Sequence, residues 1–235
     1  MTERENTKKR GERIIVALDF ADPGEALDVV SDLAGEVTIF KVGLQLYTAA
    51  GPEIVRAIQN ARAEVFLDLK LYDIPNTVAR AVEAAAALGV RMLTVHLSGG
   101  RRMLAGAVAS ASPDLLLLGV SVLTSSDAET LRETGVQSEV EEQVVRLASL
   151  GAAAGIRGVV ASPHEVRSLR REVSEKLIIV TPGVRPSWAV ANDQKRVTTP
   201  REALDNGADY LVIGRPITAA DDRREALRRI ASELT

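Results

Sequence analysis

Short apolar runs alternate with helix-like stretches along almost the whole chain. Eight of these runs span only a few residues each and are rich in Val, Ile or Leu, which is typical of strands buried on both faces of a parallel sheet. The predicted strands are residues 13–18, 37–42, 64–69, 91–96, 114–120, 158–160, 177–180 and 210–213. A (β/α)8 barrel closes with eight strands interleaved with helices, which is the number predicted here. We therefore predict an α/β fold, a single TIM barrel over residues 13–235, with an open doubly wound sheet as the alternative.

The stretches between the strands carry helix signals, and several of them begin at proline, which is favoured in the first helical turn. The predicted helices are residues 23–33, 52–59, 78–88, 139–154, 163–172, 200–206 and 216–234. Asp22 precedes the first of these and is expected to be its N-cap. No G-x-G-x-x-G turn follows the first strand, which argues against the open sheet. The polar residues 1–12 are expected to form a mobile tail outside the barrel.

Composition narrows the class of protein. The chain has 235 residues, of which 46% are hydrophobic, so it is long enough to bury one sizeable core. Its net charge of -3 gives no indication of nucleic acid or a membrane as a partner. It has no cysteine and only two histidines, which excludes a thiolate site and argues against a histidine-rich metal site. With no signal peptide and no apolar run long enough to span a bilayer, we expect a cytoplasmic protein.

One segment, residues 64–77, places charges at the end of an apolar strand. Its sequence is EVFLDLKLYDIPNT, in which Asp68, Lys70 and Asp73 follow the β-forming residues. Side chains alternate between the two faces of a strand, so Asp68 and Lys70 are predicted to point the same way. Opposite charges beside an apolar run are costly to desolvate unless they are paired or used. We therefore expect this pair to be an ion pair or part of a catalytic site.

The barrel fold turns these charges into a prediction about position. In such barrels the chemistry lies at the carboxyl ends of the strands and in the loops just beyond them. Asp19 ends the first predicted strand and Lys41 lies near the end of the second. Asp68 and Lys70 end the third. Two acids and two lysines from three neighbouring strands are thus expected to meet on one rim.

The loops after the last two strands carry an anion-binding pattern. They read TPGVRP and IGRP, and their glycines let backbone N–H groups approach an anion closely. Barrels commonly bind phosphate between these two loops, and the guanidinium of Arg215 can hold it through two hydrogen bonds. The irregular residues 184–199, which include Arg185 and Gln194, are expected to form a lid that grips the same group. The pattern predicts a substrate that carries a phosphate.

Several short motifs occur together along the chain. They are D-x-K-x-x-D-I-P-N-T at residues 68–77, VALDF with Asp19, FKVG with Lys41, VLTS at 122–125, TPGVRP at 181–186, DQKR at 193–196 and GRPI at 214–217. The D-x-K-x-x-D part is shared with related sugar-phosphate enzymes, whereas I-P-N-T and DQKR are more specific. On these motifs the chain resembles the orotidine 5'-phosphate decarboxylase family over nearly its whole length after the tail.

The resemblance implies a reaction and a role for individual residues. The reaction is decarboxylation of orotidine 5'-phosphate to UMP and CO2 in pyrimidine biosynthesis, with no cofactor and no metal. Lys41, Asp68, Lys70 and Asp73 match the family's catalytic charge network, in which Lys70 matches the proton donor. The implied substrate-binding residues are Asp19, Lys41, Thr77, Thr124, Pro182, Arg185, Gln194, Gly214 and Arg215. Because Asp73 and Thr77 match residues that reach a neighbouring subunit, the resemblance also implies a homodimer with shared active sites.

Three alternatives to this function remain open on the sequence. A sugar-phosphate decarboxylase or synthase of the same superfamily would need Mg²⁺ and acidic residues to bind it, whereas Lys41 and the DQKR loop favour a nucleotide. A phosphosugar isomerase or epimerase has no need of the Asp-Lys-Asp run. A non-catalytic nucleotide-phosphate binding protein would keep Arg215 and Gln194, but it has no reason to place Lys70 beside Asp68.

Overall fold

Eight parallel strands close into a barrel in the computed structural model, which describes residues 11–189 and 198–234. The strands are β1 (Ile14–Leu18), β2 (Ile39–Gly43), β3 (Glu64–Leu71), β4 (Met92–His96), β5 (Leu116–Val120), β6 (Gly158–Val160), β7 (Ile178–Pro182) and β8 (Tyr210–Ile213). Each strand pairs with the next along the chain. The ring is completed by β8 and β1, in which Ile14 lies opposite Leu211 and Val16 opposite Ile213. The predicted (β/α)8 barrel is therefore confirmed, and the open sheet is excluded.

Two strands extend two residues further than their apolar runs indicate. Every predicted strand is present with ends within two residues of the predicted ones, but β3 continues to Leu71 and β7 to Pro182. The apolar pattern stops earlier because polar or turn-forming residues occupy the barrel mouth in both strands. Lys70 and Pro182, both predicted site residues, therefore belong to strands and not to loops.

Helices cover the outside of the barrel. They are α1 (Pro23–Asp32), α2 (Leu44–Ala50), α3 (Glu53–Asn60), α4 (Pro75–Ala87), α5 (Gly100–Ser110), α6 (Ala128–Glu133), α7 (Val140–Ala153), α8 (Val166–Glu172), α9 (Pro200–Asp205), α10 (Arg215–Thr218) and α11 (Arg223–Glu233), with single 3-10 turns at Leu97–Gly99 and Ser187–Ala189. Asp22 caps α1 as predicted, because its carboxylate accepts hydrogen bonds from the backbone N–H groups of Gly24 and Glu25 at 2.7 and 3.0 Å.

The helices depart from the predictions more than the strands do. The sequence pattern did not indicate α2, α5 or α6, which are short or contain glycine and small residues. The single helix predicted over residues 216–234 is wrong, since the chain forms α10 and α11 there. Asp222 starts the second of them by accepting a hydrogen bond from the backbone N–H of Glu225 at 2.9 Å. An N-cap inside a predicted helix divides it in two.

Apolar side chains form two layers of core, one inside the barrel and one between the barrel and its helices. The inner layer consists of Ile15, Ala17, Ile39, Phe66, Met92, Leu116, Leu118, Val180 and Val212. Inward positions recur every second residue along a strand. One step further along β2, β3 and β4, this alternation reaches Lys41, Asp68 and Thr94. The strands thus place polar side chains directly above an apolar floor.

Three sequence predictions concern residues that the structure does not describe. Outside the described residues lie Gln194 with the DQKR motif at 193–196, residues 190–197 of the predicted lid, and residues 1–10 of the predicted tail. These predictions stay predictions. Within the described ranges, no helix is both long and apolar enough to cross a membrane.

Candidate active site

A pocket opens at the carboxyl ends of the strands. Its lining residues are Lys41, Phe66, Asp68, Lys70, Val120, Val122, Leu123, Thr124, Val160, Pro182 and Val212. The charged members come from β2 and β3, whereas the members that belong to β5, β6, β7 and β8 are apolar. One wall of the pocket can therefore hold charge, and the other can pack against a flat ring. The sequence predictions included the charged wall but only Pro182 of the apolar one.

Four charged side chains form a continuous row across the first three strands. The ammonium of Lys41 lies 2.9 Å from Asp19 Oδ1 and 3.9 Å from Asp68 Oδ2, and the ammonium of Lys70 lies 2.8 Å from that same Asp68 oxygen. The side chains of Lys41 and Asp68 are 12% and 14% exposed, against 64% for Asp19. The two acids and two lysines expected on one rim do lie together. Because the central pair is largely buried, loss of either partner would leave the other charge with only one opposite charge beside it.

The backbone of β3 is irregular where it presents these charges. From Leu67 to Leu71 the strand advances four residues, while its partner β4 advances only two. Lys70 takes a left-handed conformation with φ of 51°, which is uncommon for a residue with a side chain. Lys70 and Asp68 face each other as predicted, but regular alternation is not the cause. The bulge turns Lys70 back towards the carboxylate.

Thr94 of β4 contacts both of these residues and is not among the predicted site residues. Its side chain is fully buried, and its hydroxyl accepts a hydrogen bond from the backbone N–H of Lys70 at 2.8 Å. The same hydroxyl donates to Asp68 Oδ1 at 2.9 Å. A hydroxyl on the inward face of a buried strand needs a hydrogen-bond partner. Thr94 can therefore be identified from the sequence as a hydroxyl on the inward face of β4, two residues after Met92, that must have a hydrogen-bond partner.

His96 lies on β4 beside the row of charges. Its ring packs against that of Tyr72, with the ring centroids 5.7 Å apart. Burial lowers the pKa of His96 below its usual value, and the positive charge of Lys70 lowers it further, against the opposite effect of Asp68. The imidazole is therefore neutral at pH 7 and adds no charge to the row.

Four further predicted residues lie at the mouth in different settings. Thr124 and Pro182 line the pocket. Asp73 and Thr77 are exposed, one on the connection from β3 to α4 and the other in the first turn of α4. The Asp73 carboxylate accepts a hydrogen bond from the backbone N–H of Ile74 at 2.6 Å. Thr124 and Pro182 are thus brought to the pocket, whereas Asp73 and Thr77 face outward from this chain.

The residues predicted to bind phosphate surround the ends of β7 and β8. Gly183 follows β7 with φ of 79°, a left-handed conformation in which a side chain would be strained. Arg185 donates its backbone N–H to the carbonyl of Thr198 at 3.1 Å. Arg215 is exposed at the start of α10, directly after Gly214. These residues lie at the same end of the barrel as the pocket but are not part of its lining.

Glu165 is a buried acidic residue that does not line the pocket and lies directly before α8. Its Oε2 accepts a hydrogen bond from the backbone N–H of Ser162 at 2.9 Å. Burial raises the pKa of Glu165 to about 7, against the lowering effect of that hydrogen bond and with a smaller contribution from the Glu141 carboxylate. Neither here nor elsewhere in the described residues do three or more His, Asp or Glu side chains form a group that could hold a metal ion.

The fold and the site together define a class of protein. This is a (β/α)8-barrel enzyme whose charged residues stand at the carboxyl ends of the strands, where such barrels carry their active sites. Comparison with known families then gives its membership. Residues 12–230 match the Orotidine 5'-phosphate decarboxylase / HUMPS family, and the chain belongs to that family.

Individual relatives agree with this membership along almost their full length. A protein of Syntrophotalea carbinolica named orotidine 5'-phosphate decarboxylase is 53% identical over 230 residues, which cover 94% of each chain. One of the same name from Moorella thermoacetica is 50% identical over 232 residues, which cover 95% of this chain and 92% of its own. The crystal structure of orotidine 5'-phosphate decarboxylase from Lactobacillus acidophilus matches with a TM-score of 0.83 at 34% identity, covering 95% of this chain and 99% of that one. The resemblance carried by the sequence motifs is confirmed.

Proposed function

We propose that this chain converts orotidine 5'-phosphate to UMP and CO2 without a cofactor, as a step of pyrimidine biosynthesis. Its family and the names of relatives at about 50% identity support this reaction. The observation that carries the proposal is the ammonium of Lys70, held 2.8 Å from Asp68 at a pocket with one apolar wall. This arrangement offers a proton and a fixed charge to a ring that packs against that wall.

The proposed reaction is a heterolytic bond cleavage followed by a proton transfer. The bond between C6 of the pyrimidine and its carboxylate breaks, CO2 leaves, and the electron pair stays on C6. The ring does not readily delocalise that pair, so the surroundings must stabilise the charge. The Lys70 ammonium attracts the developing charge and then gives its proton to C6. UMP is formed, and the neutral Lys70 amine recovers a proton from water.

The rest of the row holds the charges of the site in place. Asp68 lies close to the departing carboxylate and repels it. The ammonium groups of Lys70 and Lys41, which lie 2.8 and 3.9 Å from Asp68 Oδ2, offset that repulsion. Lys41 is held on its other side by Asp19. The largely exposed Asp19 carboxylate and the Lys41 ammonium are suited to hydrogen bonds with ribose hydroxyl groups. Fixed charges of this kind need no reorganisation when the reaction occurs.

Substrate contacts divide by chemistry around the pocket. The pyrimidine packs on the apolar wall, with Pro182 beside it and the Thr124 hydroxyl available for a hydrogen bond. The phosphate binds to Arg185 and Arg215 and to the backbone near Gly214, where guanidinium groups can form paired hydrogen bonds. This group is remote from the bond that breaks. Its binding energy is available to hold the ring against the row of charges.

A homodimer with shared sites is part of the same proposal. Asp73 and Thr77 are exposed at the barrel mouth, and Tyr72 and Ile74 beside them are 62% and 67% exposed. Large apolar side chains exposed in a group mark an interaction surface. A second copy on this surface would bury them and receive Asp73 and Thr77 against its own pocket.

The ultraviolet absorbance of orotidine 5'-phosphate tests the proposed function, because decarboxylation to UMP lowers it. We expect the absorbance to fall when the protein is added in the presence of EDTA. Unchanged absorbance with folded protein would overturn the proposal. A protein that bound UMP without turnover would be a nucleotide-binding protein. Activity on a sugar phosphate that EDTA abolished would identify the sugar-phosphate alternative.

A further inference from the structure

Thr94 links two residues of the proposed reaction through one hydroxyl. The side chain lies fully buried on β4. Its Oγ1 donates a hydrogen bond to Asp68 Oδ1 at 2.9 Å and accepts one from the backbone N–H of Lys70 at 2.8 Å. A hydroxyl has one donor and two acceptor sites, so both bonds form at once without competition. The side chain of one residue therefore fixes a carboxylate and a neighbouring backbone together.

The irregular backbone of β3 makes the bond to Lys70 necessary. Regular pairing of β3 with β4 is interrupted between Leu67 and Leu71, and Lys70 within this interval is left-handed. A backbone N–H turned out of the ladder costs free energy unless it finds another acceptor. Thr94 Oγ1 is that acceptor, supplied by the next strand. The bond fixes the direction in which the Lys70 side chain leaves the backbone.

Because of the hydrogen bond from Thr94, the two oxygens of the Asp68 carboxylate have different partners. Oδ1 accepts from Thr94, whereas Oδ2 faces the ammonium groups of Lys70 at 2.8 Å and Lys41 at 3.9 Å. Rotation of the carboxylate about its bond to Cβ would exchange or misalign the two oxygens. A hydrogen bond donated to Oδ1 opposes that rotation, and hydrogen bonds to a charged acceptor are the stronger kind. The Lys70 ammonium is thereby given a fixed partner.

We propose that Thr94 is a positioning residue, which holds Asp68 and Lys70 in the geometry from which Lys70 delivers its proton. This inference rests on the proposed function, because only a reaction at Lys70 makes its orientation matter. A misplaced ammonium stabilises the transition state less. The apolar wall belongs to other strands and the proposed phosphate residues follow β7 and β8, so binding of the substrate changes little. The loss should therefore appear in kcat and not in KM.

Two pairs of proteins isolate the hydroxyl from the rest of the side chain. In the first pair, Thr94→Val is compared with the parent and loses the hydroxyl at nearly constant side-chain size. In the second pair, Thr94→Ser is compared with Thr94→Ala; both lack the methyl group and differ only in the hydroxyl. Thr94→Val and Thr94→Ala should lower kcat about 10- to 100-fold, as expected for the loss of a hydrogen bond to a charged group. The KM for orotidine 5'-phosphate and the affinity for UMP should stay within about threefold. Thr94→Ser should keep kcat within about threefold of the parent.

Equal kcat values for the Ser and Ala variants, or a loss confined to KM, would overturn the positioning role. If Thr94→Val does not fold, the Ser and Ala pair decides. Turnover by the parent tests the proposed function separately. If the parent is inactive, that function is wrong, and hydrogen exchange of the Lys70 amide decides the contact without substrate. Loss of its acceptor should speed this exchange in Thr94→Val or Thr94→Ala but not in Thr94→Ser, and unchanged exchange would overturn the inference.

Discussion

Replacement of Lys70 by alanine tests the chemical step most directly. The change removes the proposed proton donor together with a positive charge that lies 2.8 Å from Asp68. The Lys70 side chain is 31% exposed, so water screens its charge only in part. An ammonium about 4 Å from a developing negative charge contributes about 4 kcal/mol at an effective dielectric constant near 20. This energy corresponds to roughly a 10³-fold change in rate.

Loss of the proposed proton donor adds to this electrostatic effect. General acid catalysis typically contributes about 10²- to 10⁴-fold. The two contributions overlap, and Lys41 remains 3.9 Å from Asp68 to offset part of the charge left behind. We therefore expect kcat for Lys70→Ala to fall by about 10³-fold or more, while UMP still binds.

The assay is the absorbance decrease of orotidine 5'-phosphate, with UMP binding followed by calorimetry and folding by circular dichroism. Lys176→Ala is the matched control, because Lys176 is an exposed lysine just before the start of β7, at the opposite end of the barrel. It should leave kcat within about twofold of the parent. Lys70→Arg keeps the charge but not the proton transfer, since a guanidinium stays protonated, and should recover the electrostatic part at most. If Lys70→Ala kept kcat within about tenfold of the parent, Lys70 would not be the proton donor.

Three further predictions concern stability, assembly and the phosphate. The native pKa of Glu165 is about 7, above its ordinary value of 4.5. Between these two pH values the native state keeps a proton that the unfolded state releases. The unfolding free energy therefore falls as the pH rises from about 4.5 through about 7. In urea unfolding, Glu165→Gln should match the parent near pH 4.5 and exceed it at pH 8 by up to about 3 kcal/mol; an equal difference at both pH values would contradict the raised pKa. Mixed Lys70→Ala and Asp73→Ala subunits, each inactive alone, should regain activity because a hybrid dimer has one site with both residues intact, and no recovery despite measured subunit exchange would count against shared sites. Arg215→Ala should lower kcat/KM about 10²-fold or more for orotidine 5'-phosphate but scarcely for the dephosphorylated nucleoside, with exposed Arg201→Ala as the control; equal losses for both substrates would make Arg215 structural.

The barrel and its charged row are predictable because buried strands have a simple sequence pattern. A strand covered by helices outside and by side chains inside is apolar on both faces, so each strand appears as a short continuous apolar run. Asp19, Lys41 and Asp68 interrupt or end such runs near the carboxyl ends of β1, β2 and β3. Parallel topology gathers these ends on one rim. The position of each charge therefore follows from the strand that carries it.

The local geometry of the site is not predictable in the same way. Nothing in the sequence around Lys70 favours a left-handed backbone, and the contact that accompanies it comes from Thr94, 24 residues further along the chain. The roles proposed for Asp73 and Thr77 depend on a partner subunit, so the contacts within one chain do not reveal them. The phosphate contact of Gln194 and the cytoplasmic location stay predictions.

The left-handed backbone at Lys70 limits how stable this enzyme can become. A residue with a β-carbon loses about 1–2 kcal/mol in this conformation, whereas glycine does not. Glycine has no ammonium, so this backbone cannot be relaxed by glycine without removing the group to which we assign the proton transfer. Selection for thermal stability alone would favour glycine here, whereas the role proposed for Lys70 requires the lysine. The site is thus a point where folding stability and activity oppose each other, and stabilising substitutions are better sought in the outer helices.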